Sequence, residues 1–315
     1  MKNKVRVSAP ASSGNVGPGF DVFGLALQSP RDTVEVTRLA GEPAVKITSI
    51  LRDEGRLPMD ASKNTAGLAA LEVLKQLQKR GDSFQIEMVL EKGMPLNSGL
   101  GSSGASAAAA ARAVSLLSEV DLAEDILLQC CAVAEEGVAG FHADNVAPSL
   151  MGGFVVIEQY NPLRYVRIEP RMEIPLTILK PGLEVSTKMA RELVPELITI
   201  SAHIHNLGRC TRMVSALYEG DLPAFGEAIR DVIVEPERAS LVPGFDTLQR
   251  ELIDAGALAC TLSGSGPSIL VIHKDLKDRE QAIAIARDVF HRNSLEMTVY
   301  DTAVDLEGAK EIPCE

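Results

Sequence analysis

The chain has 315 residues, 46% of them hydrophobic, so it can bury a large core and is long enough for two domains. A formal net charge of −12 argues against a nucleic acid or an anionic membrane surface as partner, because both are negatively charged. The five cysteines lack metal-site spacing and the N-terminus lacks a signal-peptide core, so we expect a soluble cytoplasmic protein with reduced thiols.

The first half of the chain is predicted to begin with strands and to continue with helices. The predicted elements are strands at 5–9, 33–38 and 45–50, a helix at 65–80, a strand at 84–91, helices at 104–118 and 122–136, and a strand at 153–159. This order is typical of α+β layers rather than of strict βαβ alternation. Asn161-Pro162 marks the expected boundary between domains 1–160 and 161–315.

The second half is predicted to form an antiparallel sheet that helices cover on one face. Its predicted elements are strands at 165–169 and 174–180, helices at 187–193, 198–218, 222–232 and 245–255, strands at 259–262 and 269–273, a helix at 279–291 and a strand at 296–301. Residues 301–315 are expected to form a loosely held tail.

A glycine-serine loop, PLNSGLGSSGAS at residues 95–106, leads directly into an alanine-rich helix. Its glycines let the backbone approach a ligand closely, and Ser102 and Ser103 supply hydroxyl groups and a helix N-cap. The start of the helix also presents free N–H groups and the positive end of the helix dipole. The segment therefore predicts a phosphate-binding loop.

Other interpretations of this loop fit less well. Residues 99–104 match the GxGxxG fingerprint of dinucleotide-binding proteins, but seven residues, 92–98, separate its first glycine from the preceding strand. The acidic residues downstream, Asp121 and Glu124, form a capping-box pattern that opens a helix instead of ending a second strand. The sequence also lacks a Walker motif and the VAIK, HRD and DFG elements of protein kinases. A glycine-rich helix entry that binds nothing is the remaining alternative.

A second glycine-rich segment, SGNVGPGFDVFG, follows the first predicted strand. Its four glycines within eleven residues argue against a core strand or helix. Asn15 and Asp21 are short polar side chains in this loop that can bind amine or hydroxyl groups. An ordinary Asx turn is the alternative.

A third cluster of polar residues surrounds the end of the helix predicted at 122–136. Glu135 and Glu136 lie at its C-terminus, where carboxylates oppose the helix dipole, so a metal ion carried by a nucleotide phosphate would explain one of them. His142, Asp144 and Asn145 follow in the segment HADNVAPSLMGGF. A lone histidine is usually structural, but the two neighbouring loops favour a binding role.

Arginines and a further glycine turn come from the second half of the chain. Arg191 and Arg238 could together bind a carboxylate in bidentate fashion, although each alone is typical of a solvated surface residue. The SGSG turn at residues 263–266 lies between two short predicted strands. It could pack against another glycine loop or close a simple hairpin.

Taken together, these motifs resemble the GHMP family of small-molecule kinases, and within it the homoserine kinase branch. PLNSGLGSSGAS resembles the phosphate loop of the whole superfamily, whereas SGNVGPGFDVFG and HADNVAPSLMGGF are similar to motifs of the homoserine branch and LSGSGPS to the C-terminal glycine motif. Gly14 and Gly104 stand where the family commonly has alanine. The resemblance implies a two-domain fold, with an N-terminal α+β domain, a C-terminal ferredoxin-like α/β sandwich and an active site between them.

The resemblance also implies an activity, which is ATP- and Mg²⁺-dependent phosphorylation of the side-chain hydroxyl of L-homoserine in threonine biosynthesis. We expect a homodimer that binds neither nucleic acid nor membrane. Another GHMP kinase substrate is one alternative, and a non-catalytic nucleotide-binding protein on the same scaffold is another.

Site residues are carried over from the family motifs in three groups. The residues expected to bind ATP are Asn64, Pro95, Leu96, Asn97, Ser98, Gly99, Leu100, Gly101, Ser102, Ser103 and Thr187. The residues expected to bind homoserine are Asn15, Asp21, His142, Asn145, Arg191 and Arg238. The residues expected to act in catalysis are Glu135, Ser103 and Asn145, and Ser103 and Glu135 are also the expected metal ligands, with Ser102 and Glu136 as alternatives.

Homoserine carries a positive ammonium group and a negative carboxylate, so its binding site needs a negative and a positive side chain. Asp21 suits the ammonium group of homoserine, Arg191 and Arg238 suit its carboxylate, and Asn15 and Asn145 could orient its hydroxyl. Asp144 lies next to this set in sequence, but no general base is assigned.

Overall fold

A seven-stranded sheet forms the framework of the first half of the chain. The computed structural model describes residues 2–137, 140 and 142–314. The strands of this sheet are β1 (Lys4–Gly14), β2 (Phe23–Leu39), β3 (Val45–Leu51), β4 (Gln85–Glu91), β5 (Phe154–Tyr160), β6 (Leu163–Ile168) and β11 (Lys310–Ile312). Their order is β11-β1-β2-β4-β3, and β5 pairs with both β2 and β6. Only β3 and β4 run parallel among these pairs.

The second sheet has four antiparallel strands. They are β7 (Leu176–Pro181), β8 (Ala259–Leu262), β9 (Ile269–Ile272) and β10 (Met297–Thr302), in the order β10-β7-β9-β8. All four residues of β8 and of β9 are buried, which fits their uniformly apolar or small side chains.

Helices pack against both sheets. They are α1 (Thr65–Gln78), α2 (Ser102–Leu116), α3 (Glu124–Glu136), α4 (Val146–Met151), α5 (Thr187–Glu192), α6 (Ile200–Glu219), α7 (Leu222–Ala228), α8 (Glu235–Ala239), α9 (Phe245–Asp254) and α10 (Leu276–Arg292). The alanines of α2 are completely buried, so this helix packs closely between α1 and the first sheet. Within the described residues no helix is both long and apolar enough to cross a membrane.

The α+β order that the sequence predicts is confirmed, but three local predictions are wrong. Strand β2 begins at Phe23 instead of residue 33, and Gly14 and Gly24 pair with each other in the sheet. A Cβ at Gly24 would lie 1.8 Å from the main-chain oxygen of Asp144, so this glycine allows the strand to touch the loop before α4. Helix α3 begins at Glu124 without a side-chain cap, so the capping box does not form. The helix predicted at 222–232 ends at Ala228, and α8 follows.

The C-terminal segment is held firmly against the first sheet, contrary to the tail predicted there. Strand β11 pairs with β1, and the buried carboxylate of Asp305 forms an ion pair with Arg31 at 2.6 Å. The main-chain N–H of Ala309 also donates to the oxygen of Leu150. These contacts tie the end of the chain to its beginning.

The two sheets divide the chain slightly later than the predicted boundary. Strand β6 follows Asn161-Pro162 but pairs with β5, so the chain leaves the first sheet after Ile168. The division into domains 1–160 and 161–315 stays a prediction.

Candidate active site

A cleft of about 790 Å³ brings together loops from both halves of the chain. The predicted site residues in its walls are Asn15, Asp21, Asn64, Leu96, Asn97, Ser98, Gly99, Gly101, Ser102, Ser103, Glu135, His142, Asn145, Thr187, Arg191 and Arg238. Pro95 and Leu100 lie behind the wall, where the oxygen of Pro95 accepts a hydrogen bond from Ser98 Oγ and Leu100 is fully buried. The structure therefore collects nearly all of the predicted residues in one cavity.

The glycine-serine loop ends at the N-terminus of α2, which faces the cleft. Gly101 is the N-cap, in a left-handed conformation and without a side-chain hydrogen bond, so the N-cap predicted from Ser102 or Ser103 is wrong. Because no side chain caps this helix, its first N–H groups can donate to an anion in the cleft. The arrangement retains the property that predicted a phosphate site.

The SGSG turn supports this loop from behind. It closes the β8–β9 hairpin and also packs against both other glycine loops, so the prediction that it packs against a glycine loop is confirmed and it is more than a simple hairpin. Ser263 Oγ donates to the oxygen of Gly99 at 2.8 Å, and the N–H of Gly264 donates to the oxygen of Gly14 at 3.1 Å. A Cβ at Gly99 would lie 2.4 Å from the oxygen of Ser263, so only glycine permits this contact.

Lys92 is a buried cation at the cleft that the sequence analysis missed. It forms an ion pair with Asp32, and its Nζ donates to the oxygen of Ser102 at 3.0 Å and to Ser106 Oγ at 2.7 Å. Asp32 in turn accepts from the N–H of Gly93 at 2.9 Å. The pair therefore fixes both ends of the glycine-serine loop.

Ser106 gives a test of this support. Its hydroxyl lies between the two charges and is buried in α2, so Ser106→Ala should lower the free energy of unfolding by about 1 to 2 kcal/mol. Ser115→Ala, in the same helix, should leave the stability unchanged or slightly raised, because alanine favours a helix. Urea denaturation measures both. Equal values for the two variants would contradict the role of the Ser106 hydroxyl.

Glu135 is a buried carboxylate beside the start of α2. Its Oε2 accepts a hydrogen bond from Ser103 Oγ at 3.0 Å, and its Oε1 is buried without a hydrogen bond from any residue that the structure describes. Burial raises the pKa of Glu135 to about 7. Glu136 is exposed to solvent. Of the two candidate metal ligands, only Glu135 therefore lines the cleft.

The oxygen atoms at this position fit Mg²⁺ as a nucleotide would carry it. Ser102 Oγ, like Glu135 Oε1, is buried and has no hydrogen bond to a described residue. No group of three or more histidine, cysteine or acidic residues that could hold a metal is found within the described part of the chain. Mg²⁺ commonly binds one or two carboxylates and completes its coordination with phosphate oxygens and water. A single carboxylate with neighbouring hydroxyls meets that requirement.

Charged residues meet at the other end of the cleft. Arg191 donates to both carboxylate oxygens of Asp21, at 3.0 and 2.8 Å, and its Nη2 lies 3.2 Å from His142 Nδ1. The main-chain oxygen of Asp21 accepts from the hydroxyl of Tyr160 at 2.6 Å. The two groups predicted to bind opposite ends of a zwitterion thus pair with each other in this structure.

Arg238 is a buried arginine in the same wall. Its Nε donates to the oxygen of Ala190 at 2.9 Å and its Nη1 to the oxygen of Gly264 at 3.3 Å. Its guanidinium carbon lies 5.1 Å from the centre of the Phe20 ring, which also lies 5.2 Å from that of Arg191. No carboxylate of a described residue lies within ion-pair distance of it, and burial lowers its pKa. This arrangement favours an anionic ligand.

Asp144 and Asn145 lie between the two ends of the cleft. Asn145 accepts from Ser12 Oγ at 3.2 Å and donates to Asp144 Oδ2 at 3.1 Å. Burial, and then the charge of Asp21, raise the pKa of Asp144 to about 7. A carboxyl group at this position can therefore hold or release a proton near neutral pH.

Two predicted side chains use their polar atoms to shape loops. Asn15 donates to the oxygen of Gly264 at 2.8 Å and accepts from the N–H of Asp21 at 3.1 Å. Asn64 is the N-cap of α1, where it accepts from the N–H of Ala66 at 3.0 Å. Both still line the cleft.

Comparison with known proteins agrees with this geometry. The N terminal domain of the GHMP kinases matches residues 66–153, and the GHMP kinases C terminal family matches residues 213–292. A homoserine kinase of Chlorobaculum tepidum is 36% identical over 311 residues, which cover 96% of each chain. One of Methanococcus vannielii is 37% identical over 305 residues, covering 96% of this chain and 97% of its own. The crystal structure of homoserine kinase from Cytophaga hutchinsonii superposes with a TM-score of 0.92 at 38% identity, covering 99% of this chain and 98% of that one.

The fold and the cleft define a GHMP kinase. Relatives of more than 30% identity match it over nearly their whole length. The chain belongs to the homoserine kinase family of these enzymes.

Proposed function

We propose that this protein transfers the terminal phosphoryl group of ATP to the side-chain hydroxyl of L-homoserine, giving O-phospho-L-homoserine and ADP. The observation that carries the proposal is that the two ends of the cleft differ in their chemistry. An uncapped helix N-terminus and a buried carboxylate with a hydroxyl lie at one end, and an Arg-Asp-His cluster with a second arginine lies at the other. Family membership supports the same reaction.

The nucleotide end of the cleft supplies electrostatic stabilisation. Phosphoryl transfer needs little covalent help, so the protein must mainly align the reactants and neutralise developing charge. The first N–H groups of α2 would donate to the phosphates, while Lys92 and Asp32 keep their loop in place. Ser103 and Glu135 would hold Mg²⁺, which when bound neutralises charge on the phosphates.

At the substrate end, the charges match an amino acid. Asp21 would bind the ammonium group, and Arg191 and Arg238 would bind the carboxylate. Because the zwitterion carries the same two charges as the Arg191–Asp21 pair, its binding replaces that half-buried ion pair without leaving either charge uncompensated. Asn145 would orient the hydroxyl between the two ends, near His142.

No residue is assigned as a general base. The transition state of phosphoryl transfer is loose, so the hydroxyl can lose its proton late in the reaction. We further propose that the enzyme is a cytoplasmic homodimer and that its product is used in threonine biosynthesis.

Product analysis tests this function directly. With ATP and Mg²⁺, phosphorus NMR should show a new phosphomonoester when L-homoserine is added, and ADP should form in equal amount. Mevalonate and galactose serve as matched hydroxyl-bearing controls, because they carry no ammonium group. A phosphomonoester from mevalonate but not from homoserine would move the chain to another GHMP branch. No product from any substrate would favour a nucleotide-binding protein without catalysis.

A further inference from the structure

Phe20 is an aromatic residue in the wall of the cleft, directly before Asp21 in the chain. The centre of its ring lies 5.1 Å from the guanidinium carbon of Arg238 and 5.2 Å from that of Arg191. A cation within about 6 Å of a ring centre is attracted to the negative face of the ring. One uncharged side chain therefore contacts both arginines at the substrate end of the cleft.

The two guanidinium groups that meet at this ring repel each other. Burial, and then the charge of Arg191, lower the pKa of Arg238. The charge of Arg191 is compensated by Asp21, whereas Arg238 is 4% exposed and has no described carboxylate within ion-pair distance. The face of the Phe20 ring thus supplies negative potential where Arg238 lacks a counter-charge.

Main-chain contacts fix the ring relative to Arg238. Asn15 accepts a hydrogen bond from the N–H of Asp21 at 3.1 Å and donates to the oxygen of Gly264 at 2.8 Å. The same oxygen accepts from Nη1 of Arg238 at 3.3 Å. The loop that carries Phe20 and the arginine that its ring contacts are therefore anchored on one carbonyl group.

The contact with the ring does not depend on which carboxylate Arg191 binds. When the substrate binds as proposed above, Arg191 exchanges Asp21 for the substrate carboxylate, and Phe20 still attracts its guanidinium group. The Nη2 of Arg238 makes no hydrogen bond to any residue that the structure describes. A carboxylate that enters beside the ring can therefore meet donors from both arginines.

We propose that Phe20 is a positioning residue for the substrate carboxylate, because its ring holds the guanidinium groups of Arg191 and Arg238 where both can bind one carboxylate. This role rests on the proposed function, since the carboxylate is that of homoserine. It goes further by assigning part of the selectivity for a carboxylate to a side chain without charge or hydrogen-bonding groups.

Kinetics of two Phe20 variants tests the role. Phe20→Leu keeps an apolar side chain but removes the aromatic face, so it should raise the KM for homoserine about fivefold to thirtyfold and change kcat less than about twofold. Phe20→Tyr keeps the face and should stay within about threefold of the unmodified enzyme. With 3-aminopropan-1-ol, which has no carboxylate, neither variant should change the KM appreciably. An unchanged KM in Phe20→Leu, a Phe20→Tyr variant that is equally impaired, or an equal loss with the analogue overturns the proposal.

Urea denaturation without substrate tests the contact itself. Phe20→Leu should lower the midpoint of unfolding in the unmodified chain and should lower it clearly less in an Arg238→Met background, where one of the two cations is absent. Equal shifts in the two backgrounds refute the role of Phe20, whatever the substrate is. An unmodified enzyme that does not phosphorylate homoserine refutes the proposed function instead, so the two failures are distinguishable.

Discussion

Replacing Glu135 with glutamine is expected to lower kcat by about a thousandfold or more, whereas Glu136→Gln should change it less than about twofold. Glu135 is buried against Ser103 and lines the cleft, while Glu136 is exposed on the same helix. Glutamine keeps the size and one hydrogen bond of Glu135 but removes the negative charge that a Mg²⁺ ion needs. Steady-state kinetics over a range of Mg²⁺ concentrations measures both variants.

The dependence on pH gives an independent readout. Because burial raises the pKa of Glu135 to about 7, the carboxyl must lose a proton before it can bind a cation. The Mg²⁺ concentration for half-maximal rate should therefore fall as pH rises to about 7 and level off above it, and Glu136→Gln should show the same curve. If Glu136→Gln is the impaired variant, the metal role moves by one residue. If both variants remain active, neither carboxylate holds the metal.

The sequence contains a signal that distinguishes Glu135 from Glu136, which is the position of Glu135 on the buried face of α3. The buried positions of α3 include Leu127, Leu128, Cys131 and Ala134, which recur with helical spacing, and Glu135 continues that stripe. A charged residue on the buried face of a helix is a candidate site residue.

The same reasoning identifies Lys92. In β4, Ile86, Met88 and Leu90 alternate on the buried face, so residue 92 is on that face too. Its charge there requires a partner. The partner, Asp32, lies one residue before the strand predicted at 33–38 and belongs to β2 in the structure.

Other features depend on contacts between distant parts of the chain and have no local signal. The glycine-serine loop and α2 could be predicted because both follow from neighbouring residues. The pairing of β11 with β1 and the ion pair between Asp21 and Arg191 join segments that no pattern within either one specifies. For that reason the sequence predicts a loose tail at residues 301–315. It also predicts that Asp21 binds the ammonium group and Arg191 the carboxylate of the substrate, and it does not predict that the two side chains pair with each other.

Removing Arg238 is expected to raise the KM for homoserine by about tenfold to a hundredfold or more, because a hydrogen bond to a charged group contributes roughly 1.5 to 3 kcal/mol. Arg238 is buried and has no described carboxylate in ion-pair contact, so a substrate carboxylate would be its counter-charge. Arg191→Ala should weaken homoserine use within the same range, and it also frees Asp21, which Arg191 holds in this structure.

A substrate analogue without a carboxylate provides the control for Arg238→Ala. The analogue 3-aminopropan-1-ol keeps the ammonium and hydroxyl groups but lacks the carboxylate, so it should be a poor substrate of the unmodified enzyme and lose little further activity in the variant. Arg230→Ala removes an exposed arginine outside the cleft and should leave both substrates unaffected. Calorimetry with a non-hydrolysable ATP analogue should give the same affinity for the unmodified enzyme, Arg238→Ala and Arg230→Ala. If Arg238→Ala instead loses nucleotide affinity and handles both substrates alike, Arg238 belongs to the phosphate end of the cleft. The carboxylate assignment is then wrong.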